Sequence, residues 1–157
     1  MDSAVIRIGL IADTHGLLRV EAVAALRGCT VIVHAGDIGK PEVLTKLARV
    51  APVTAVRGNN DHGDWANHLP DYADLRVGAL RLHILHDLAE LHSDRTTDAA
   101  AVISGHSHRP HVETRNGVLY VNPGSAGPRR FRLPVSVALL DVGANGGIGA
   151  HVVELRV

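Results

Sequence analysis

Val5-Ile6-Arg7-Ile8-Gly9-Leu10-Ile11-Ala12-Asp13-Thr14-His15 is an aliphatic run that stops at a carboxylate and an imidazole. β-branched and aliphatic residues with little polar alternation read as a strand buried on both faces. The pattern recurs twice downstream. Thr30 to Ala35 runs into Gly36-Asp37, and Pro52 to Arg57 runs into Gly58-Asn59. Between these runs, Leu18 to Leu26 has helical spacing and is closed by Gly28. Pro41 opens a second helical stretch through Val50, with proline at a first-turn position. A strand-helix-strand-helix-strand order predicts a parallel sheet with right-handed crossovers.

The remainder changes character. Asp74 to Val77, Gly78-Ala79 and Leu80 to Leu85 predict a hairpin, and a short helix is expected over 93–100. Val102-Ile103-Ser104 predicts a strand running into Gly105-His106. His111 to Arg115 and Val118 to Val121 flank Asn116-Gly117, the dipeptide that suits a tight primed turn. Val135 to Val142 and Ala150 to Val157 form a last hairpin around Asn145-Gly146-Gly147. The expectation is one α/β domain over 1–157, a two-sheet β-sandwich flanked by helices on both outer faces.

Composition narrows the class. The 157 residues are 46% hydrophobic and 20% charged, with a formal net charge of +0; this is the balance of an ordinary globular domain. Polymeric nucleic acid is not an expected partner, because binding its backbone requires clustered positive charge. A single cysteine, Cys29, excludes an internal disulfide and a thiolate zinc cluster. No stretch approaches the roughly 20 apolar residues of a membrane span, so no membrane partner is expected and a reducing cytoplasm is the expected compartment. The anomaly is 11 histidines.

Those histidines gather where strands stop. Asp13 and His15 follow the first strand, Asp37 the second, Asn59 the third, His86 the hairpin, and His106 and His108 the strand after it. In α/β sheets the carboxyl ends of strands are where sites form. Taken singly, each block reads as well as a cap, a turn or a core histidine. Gly105-His106-Ser107-His108 is the strongest single piece, since two histidines two apart in extended chain project to one side. Five such blocks, each after a predicted strand, point to a shared site. Oxygen and nitrogen donors without sulfur suit Mn²⁺, Fe or Zn²⁺.

With these blocks and Asn122-Pro123-Gly124-Ser125, the sequence resembles the calcineurin-like metallophosphoesterase superfamily, especially its small single-domain prokaryotic, bacterial-type phosphodiesterase branch. The resemblance implies a four-layer αββα fold and two divalent metal ions, with manganese favoured over Fe, Zn or Ni. It implies that Asp13, His15 and His108 hold one ion, that Asn59, His86 and His106 hold the other, and that Asp37 bridges both. Two such ions would polarise a shared water towards hydroxide and clamp a phosphoryl group. Asp61 reads equally as a carboxylate steadying a ligand or as a solvated turn residue. A homo-oligomer, with a dimer the guess, is expected by the same likeness.

The sequence departs from the family pattern at Asn60, where phosphomonoesterase members carry a histidine that protonates the leaving oxygen. An amide cannot donate that proton, so the expectation shifts to a phosphodiesterase acting on a small, nucleotide-like phosphoester. A phosphomonoesterase is the alternative, with His62 and His68 in the same loop as exposed residues or substitutes. A non-catalytic scaffold or a nucleotide or phosphate sensor of this fold is the alternative from another class. His86 is followed by Asp87, where many relatives have glycine. Arg129, Arg130 and Arg132 either grip a phosphate or belong to a solvated loop.

Overall fold

The computed structural model describes residues 5–157. Two five-stranded mixed sheets face one another. The first has the order β10-β9-β1-β2-β3, built from β1 (Ile6–Ile11), β2 (Val31–His34), β3 (Val53–Ala55), β9 (Ser136–Val142) and β10 (Ile148–Glu154). The second has the order β4-β5-β6-β8-β7, built from β4 (Tyr72–Val77), β5 (Leu80–Leu85), β6 (Ala101–Ile103), β7 (His111–Arg115) and β8 (Val118–Asn122). The expected parallel core is present: β1 pairs with β2 and β2 with β3, with Leu10 opposite Val33 and His34 opposite Ala55. The final hairpin returns beside β1 in antiparallel register.

Period-two alternation divides the aliphatic side chains between two cores. Ile8 and Leu10 point into the inter-sheet space with Val33, Leu82, Ile84, Ile103, Val121 and Leu140, all buried. Ile11 and Ile32 point the other way, against Leu26 of α1 (Val20–Leu26) and Leu47 of α2 (Pro41–Ala48). Gly9 lies on that outer face because a Cβ there would stand 2.6 Å from Leu26 Cδ2 and 3.1 Å from Cys29 Sγ. Its missing side chain lets α1 approach the sheet.

The expected helix over 93–100 is instead a 3-10 turn at Ser93–Thr96. Its polar residues and the Thr96-Thr97 pair favour no α-helix, and Asp98 turns the chain left-handed with φ 63°. This turn and another at Leu88–Glu90 make a thin layer on the outside of the second sheet, tied down by Arg81 Nη2 donating to the carbonyl of Arg95 at 3.0 Å. A four-residue helix, α3 (Asp64–Asn67), has no counterpart in the sequence reading; it is too short for periodicity to register. Asn116 (φ 50°) and Gly117 (φ 79°) make the primed turn that Asn-Gly predicts. No helix among the described residues is long and apolar enough to cross a membrane.

Gly9→Ala should force α1 off the sheet and cost about 1–3 kcal/mol, the usual range for overpacking. Urea unfolding should register this as a lower midpoint with an unchanged slope.

Candidate metal centre

The parallel strands of both sheets end at one rim, and there the chain turns abruptly. Asp13, His15, Asp37, His106 and His108 all have positive φ, between 46° and 72°. Non-glycine residues rarely adopt this region, and such outliers gather where a site over-determines them. Five of the seven expected ligands therefore sit on strained backbone, which turns their side chains back over the strand ends.

Two clusters result. Asp13, His15 and His108 offer donor atoms within 4.8 Å of one another, and so do Asp37, His86 and His106. The second cluster includes Asn59, whose Oδ1 lies 3.2 Å from His106 Nδ1. Asp37 Oδ2 joins the two, 3.6 Å from His15 Nε2 and 3.4 Å from His86 Nε2. The rings are ordered by each other: His15 stacks on His108 with centroids 5.4 Å apart, and His86 meets His106 edge-on at 5.1 Å. All seven expected ligands are thus brought together at one rim.

The donor set fits divalent cations. Asp13 Oδ1, His15 Nε2 and His108 Nδ1 are buried and have no hydrogen-bond partner; for Asp13 Oδ1 and His15 Nε2, which face each other at 4.0 Å, that is costly unless a cation satisfies them. Asp13 Oδ2 is already used, accepting from the His106 backbone N–H at 3.1 Å. His86 donates Nδ1–H to the Ala35 carbonyl at 2.8 Å, which turns its Nε2 towards the centre and Asp37.

Electrostatics divides these groups into some already in the form that ligation requires and others whose proton a cation would displace. Burial, reinforced by the Asp37 charge, pushes Asp13 up to about 7. Burial also pushes His108 down to about 4, with Arg130 and His15 contributing, so its ring is neutral as ligation requires. Asp37 is buried too, yet hydrogen bonds from His86 and Asn60 win and hold it well below the carboxylate range. His86 is raised in turn: Asp37 and the Ala35 carbonyl outweigh its burial. Of the three arginines after Ser125, Arg130 is the one whose charge reaches Asp13 and His108.

The supporting residues are specific. Asp61 is buried and accepts N–H bonds from Gly58 at 2.8 Å, Gly39 at 2.9 Å and Ile38 at 3.2 Å. It therefore ties the Asp37 loop to the Asn59 loop rather than facing solvent. Asn60 turns inwards, its backbone N–H on Asp37 Oδ1 at 2.9 Å and its amide on Asp37 Oδ2 at 3.0 Å. Asp87 lies 3.7 Å from His106 Nε2 and accepts from the Ala89 N–H at 3.0 Å. Asn122 donates to the Gly105 carbonyl and to Ser107 Oγ, bracing the loop that carries both histidines.

His34, which its place before Ala35-Gly36-Asp37 marks as a buried structural residue behind the site, is fully buried, and Thr14 works with it in a role that residue spacing did not reveal. The Gly36 N–H donates to His34 Nδ1 at 3.1 Å, which fixes the neutral ring with its proton on Nε2. Nε2 lies 3.0 Å from Thr14 Oγ1, whose own hydroxyl donates to the Ile38 carbonyl at 2.8 Å. Burial holds His34 down at about 3, so the chain stays in this one orientation. The only hint in the sequence is two polar residues flanking ligands at the ends of aliphatic strands.

Glycines complete the packing. A Cβ on Gly36 would stand 2.7 Å from His86 Nδ1, and one on Gly58 would strike the backbone nitrogen and carboxylate of Asp37.

Comparison with known proteins follows the geometry. The calcineurin-like phosphoesterase superfamily domain matches residues 6–145. A protein of Methanothermobacter thermautotrophicus named "Probable metallophosphoesterase" is 30% identical over 148 residues, covering 86% of this chain and 85% of the relative. Among solved structures, Vacuolar Protein Sorting 29 of Cryptosporidium parvum matches with a TM-score of 0.76 and 19% identity, over 96% and 97% of the two chains. A structure described as a novel archaeal phosphodiesterase matches with a TM-score of 0.73 and 20% identity, over 94% and 100%. At those identities the two structures share the fold.

Asp13 provides a test with a definite sign. Its folded pKa of about 7 lies above the ordinary 3.8, so its contribution to stability is present below about pH 4 and is lost as pH rises through 7. Metal-free Asp13→Asn should therefore melt higher than wild type at pH 8, and the gap should close by pH 5. Added Mn²⁺ should reverse the order at pH 8, raising wild type by several degrees and leaving the variant nearly unmoved.

Proposed function

The chain belongs to the calcineurin-like phosphoesterase superfamily, and from that premise we propose that it is a dinuclear, manganese-using phosphodiesterase acting on a small phosphoester. The observation that carries the reading is the single oxygen Asp37 Oδ2, which joins His86 and His106 in one cluster and lies 3.6 Å from His15 Nε2 of the other, beside Asp13 and His108. Two divalent ions held there would supply Lewis-acid charge for a phosphoryl group and a nucleophile at neutral pH.

The residues have separable tasks. Asp13, His15 and His108 would hold the deeper ion, and Asn59, His86 and His106 the one at the exposed mouth. Asp37 would bridge them. Its second oxygen is occupied by the Asn60 N–H, which fixes the carboxylate plane. Arg130 adds positive charge on the side of Asp13 and His108, where an anionic substrate gains from it.

The diester preference rests on Asn60. Its amide is engaged with Asp37 and in any case has no proton to give a leaving alkoxide. Diesters with leaving groups that depart unprotonated suit such a site, and monoesters of ordinary alcohols do not. The scaffold reading, consistent with the fold likeness to Vacuolar Protein Sorting 29, requires no ligands at all. Seven convergent donors, with Asp13 Oδ1 and His15 Nε2 buried and orphaned among them, favour catalysis over it.

Mn²⁺-loaded protein should hydrolyse bis(p-nitrophenyl) phosphate and lose that activity on chelation; no turnover with Mn²⁺, Fe²⁺, Ni²⁺ or Zn²⁺ overturns the proposal. Asn60→His should raise the monoester-to-diester ratio of kcat/KM by about 10²-fold, the lower end for a positioned general acid.

A further inference from the structure

Two cavities of about 480 Å³ each open on the rim beside the His86–His106 cluster. Both fall within the range of about 300–1,000 Å³ expected of small-molecule sites. They touch the centre through different ligands. Asn59 and His86 line the first, and His106 lines the second. Asp87 belongs to both walls. Its carboxylate is held there by the Ala89 N–H.

Their linings differ. The first cavity is walled by Arg57, His62, Asn67, Asp71 and Glu90, and no aliphatic side chain lines it. Arg57 and Asp71 are paired at 2.6 Å, which leaves further donors and acceptors on both groups. The second has an apolar wall of Leu88, Pro110, Tyr120, Val121 and Leu133, with polar groups, Arg109, His111 and Asn122 among them, on the rest of its lining. A polar cavity rewards hydroxyl groups that can replace its water with hydrogen bonds. An apolar one rewards a ring that removes carbon surface from water.

We propose that these cavities seat the two arms of one asymmetric phosphodiester, with an aryl or similar apolar ring against Leu88, Tyr120 and Leu133 and a hydroxyl-bearing, polyol-like arm against Asn67, Asp71 and Glu90. This rests on the phosphodiesterase reading. A phosphodiester held at the centre has one arm for each of the two cavities that share Asp87. A monoester has one arm and leaves a cavity unused.

The experiment compares glyceryl p-nitrophenyl phosphate with methyl p-nitrophenyl phosphate, which share a leaving group and differ in the polar arm. Wild type loaded with Mn²⁺ should prefer the glyceryl ester in kcat/KM by about tenfold, the worth of one or two net hydrogen bonds. Asn67→Leu should bring that ratio to about one. Leu133→Asp should lower kcat/KM for both esters by about tenfold and preserve their ratio. Calorimetric titration gives a second readout: phenyl phosphate should bind wild type more tightly than methyl phosphate, and Leu133→Asp should abolish the difference where Asn67→Leu does not. Leu88→Ser serves as a second apolar-cavity variant should Leu133→Asp melt early.

A wild-type ratio near one, or variants that affect both arms alike, overturns the assignment of arms and leaves the phosphodiesterase reading intact. Absence of metal-dependent turnover of either ester overturns both.

Discussion

Asp61 accepts three backbone N–H groups, from Ile38, Gly39 and Gly58, and the candidate centre depends on that one carboxylate. It closes the turn after β3 onto the turn after β2, so Asp37 and Asn59 face the same space. Hydrogen bonds to an ionised acceptor are among the stronger ones a protein makes, and this one is shielded from water. Gly58 and Gly36 are the steric complement, since a side chain at either would occupy the volume that Asp37 and His86 need. The His34–Thr14 chain does the same for the first turn, joining it to Ile38 through a donor sequence with only one consistent direction.

The local structure gives up stability to make this possible. Five candidate ligands hold left-handed backbone, each at a cost of order 1–3 kcal/mol. Two carboxylates lie close together in a buried rim, and burial alone would protonate Asp13 near neutrality. Two layers of aliphatic packing, one between the sheets and one beneath α1 and α2, offset that cost. A cation entering the rim would relieve the orphaned Asp13 and His15 atoms and the charge repulsion together. Strain, burial and ligand affinity are in this sense one design.

Much of this was legible from local pattern. The β1-α1-β2-α2-β3 succession showed in aliphatic runs and in Pro41 and Gly28, because burial on both strand faces leaves a composition that nothing else explains. The Asn116-Gly117 turn was legible for a stereochemical reason. The segment over 93–100 was misread as a helix because its residues carry no decisive propensity, and tertiary bonds from Arg81 settled it. Asp61 stood undecided between a buried and a solvated role, since an Asp after two asparagines looks alike in both.

The sequence by itself determined which side chains could meet a metal, because Asp, Asn and His at strand ends are chemically unambiguous and topology carries strand ends to one rim. It also determined, through Asn60, that no imidazole stands at that position to protonate a leaving group. Only the tertiary structure decided what those residues do there. Asn60 turns its amide onto Asp37, His34 is locked as a neutral relay, and Asp87 lines both a polar cavity and a more apolar one. Each of these depends on contacts between loops more than ten residues apart, and no local pattern encodes the distance between two such loops.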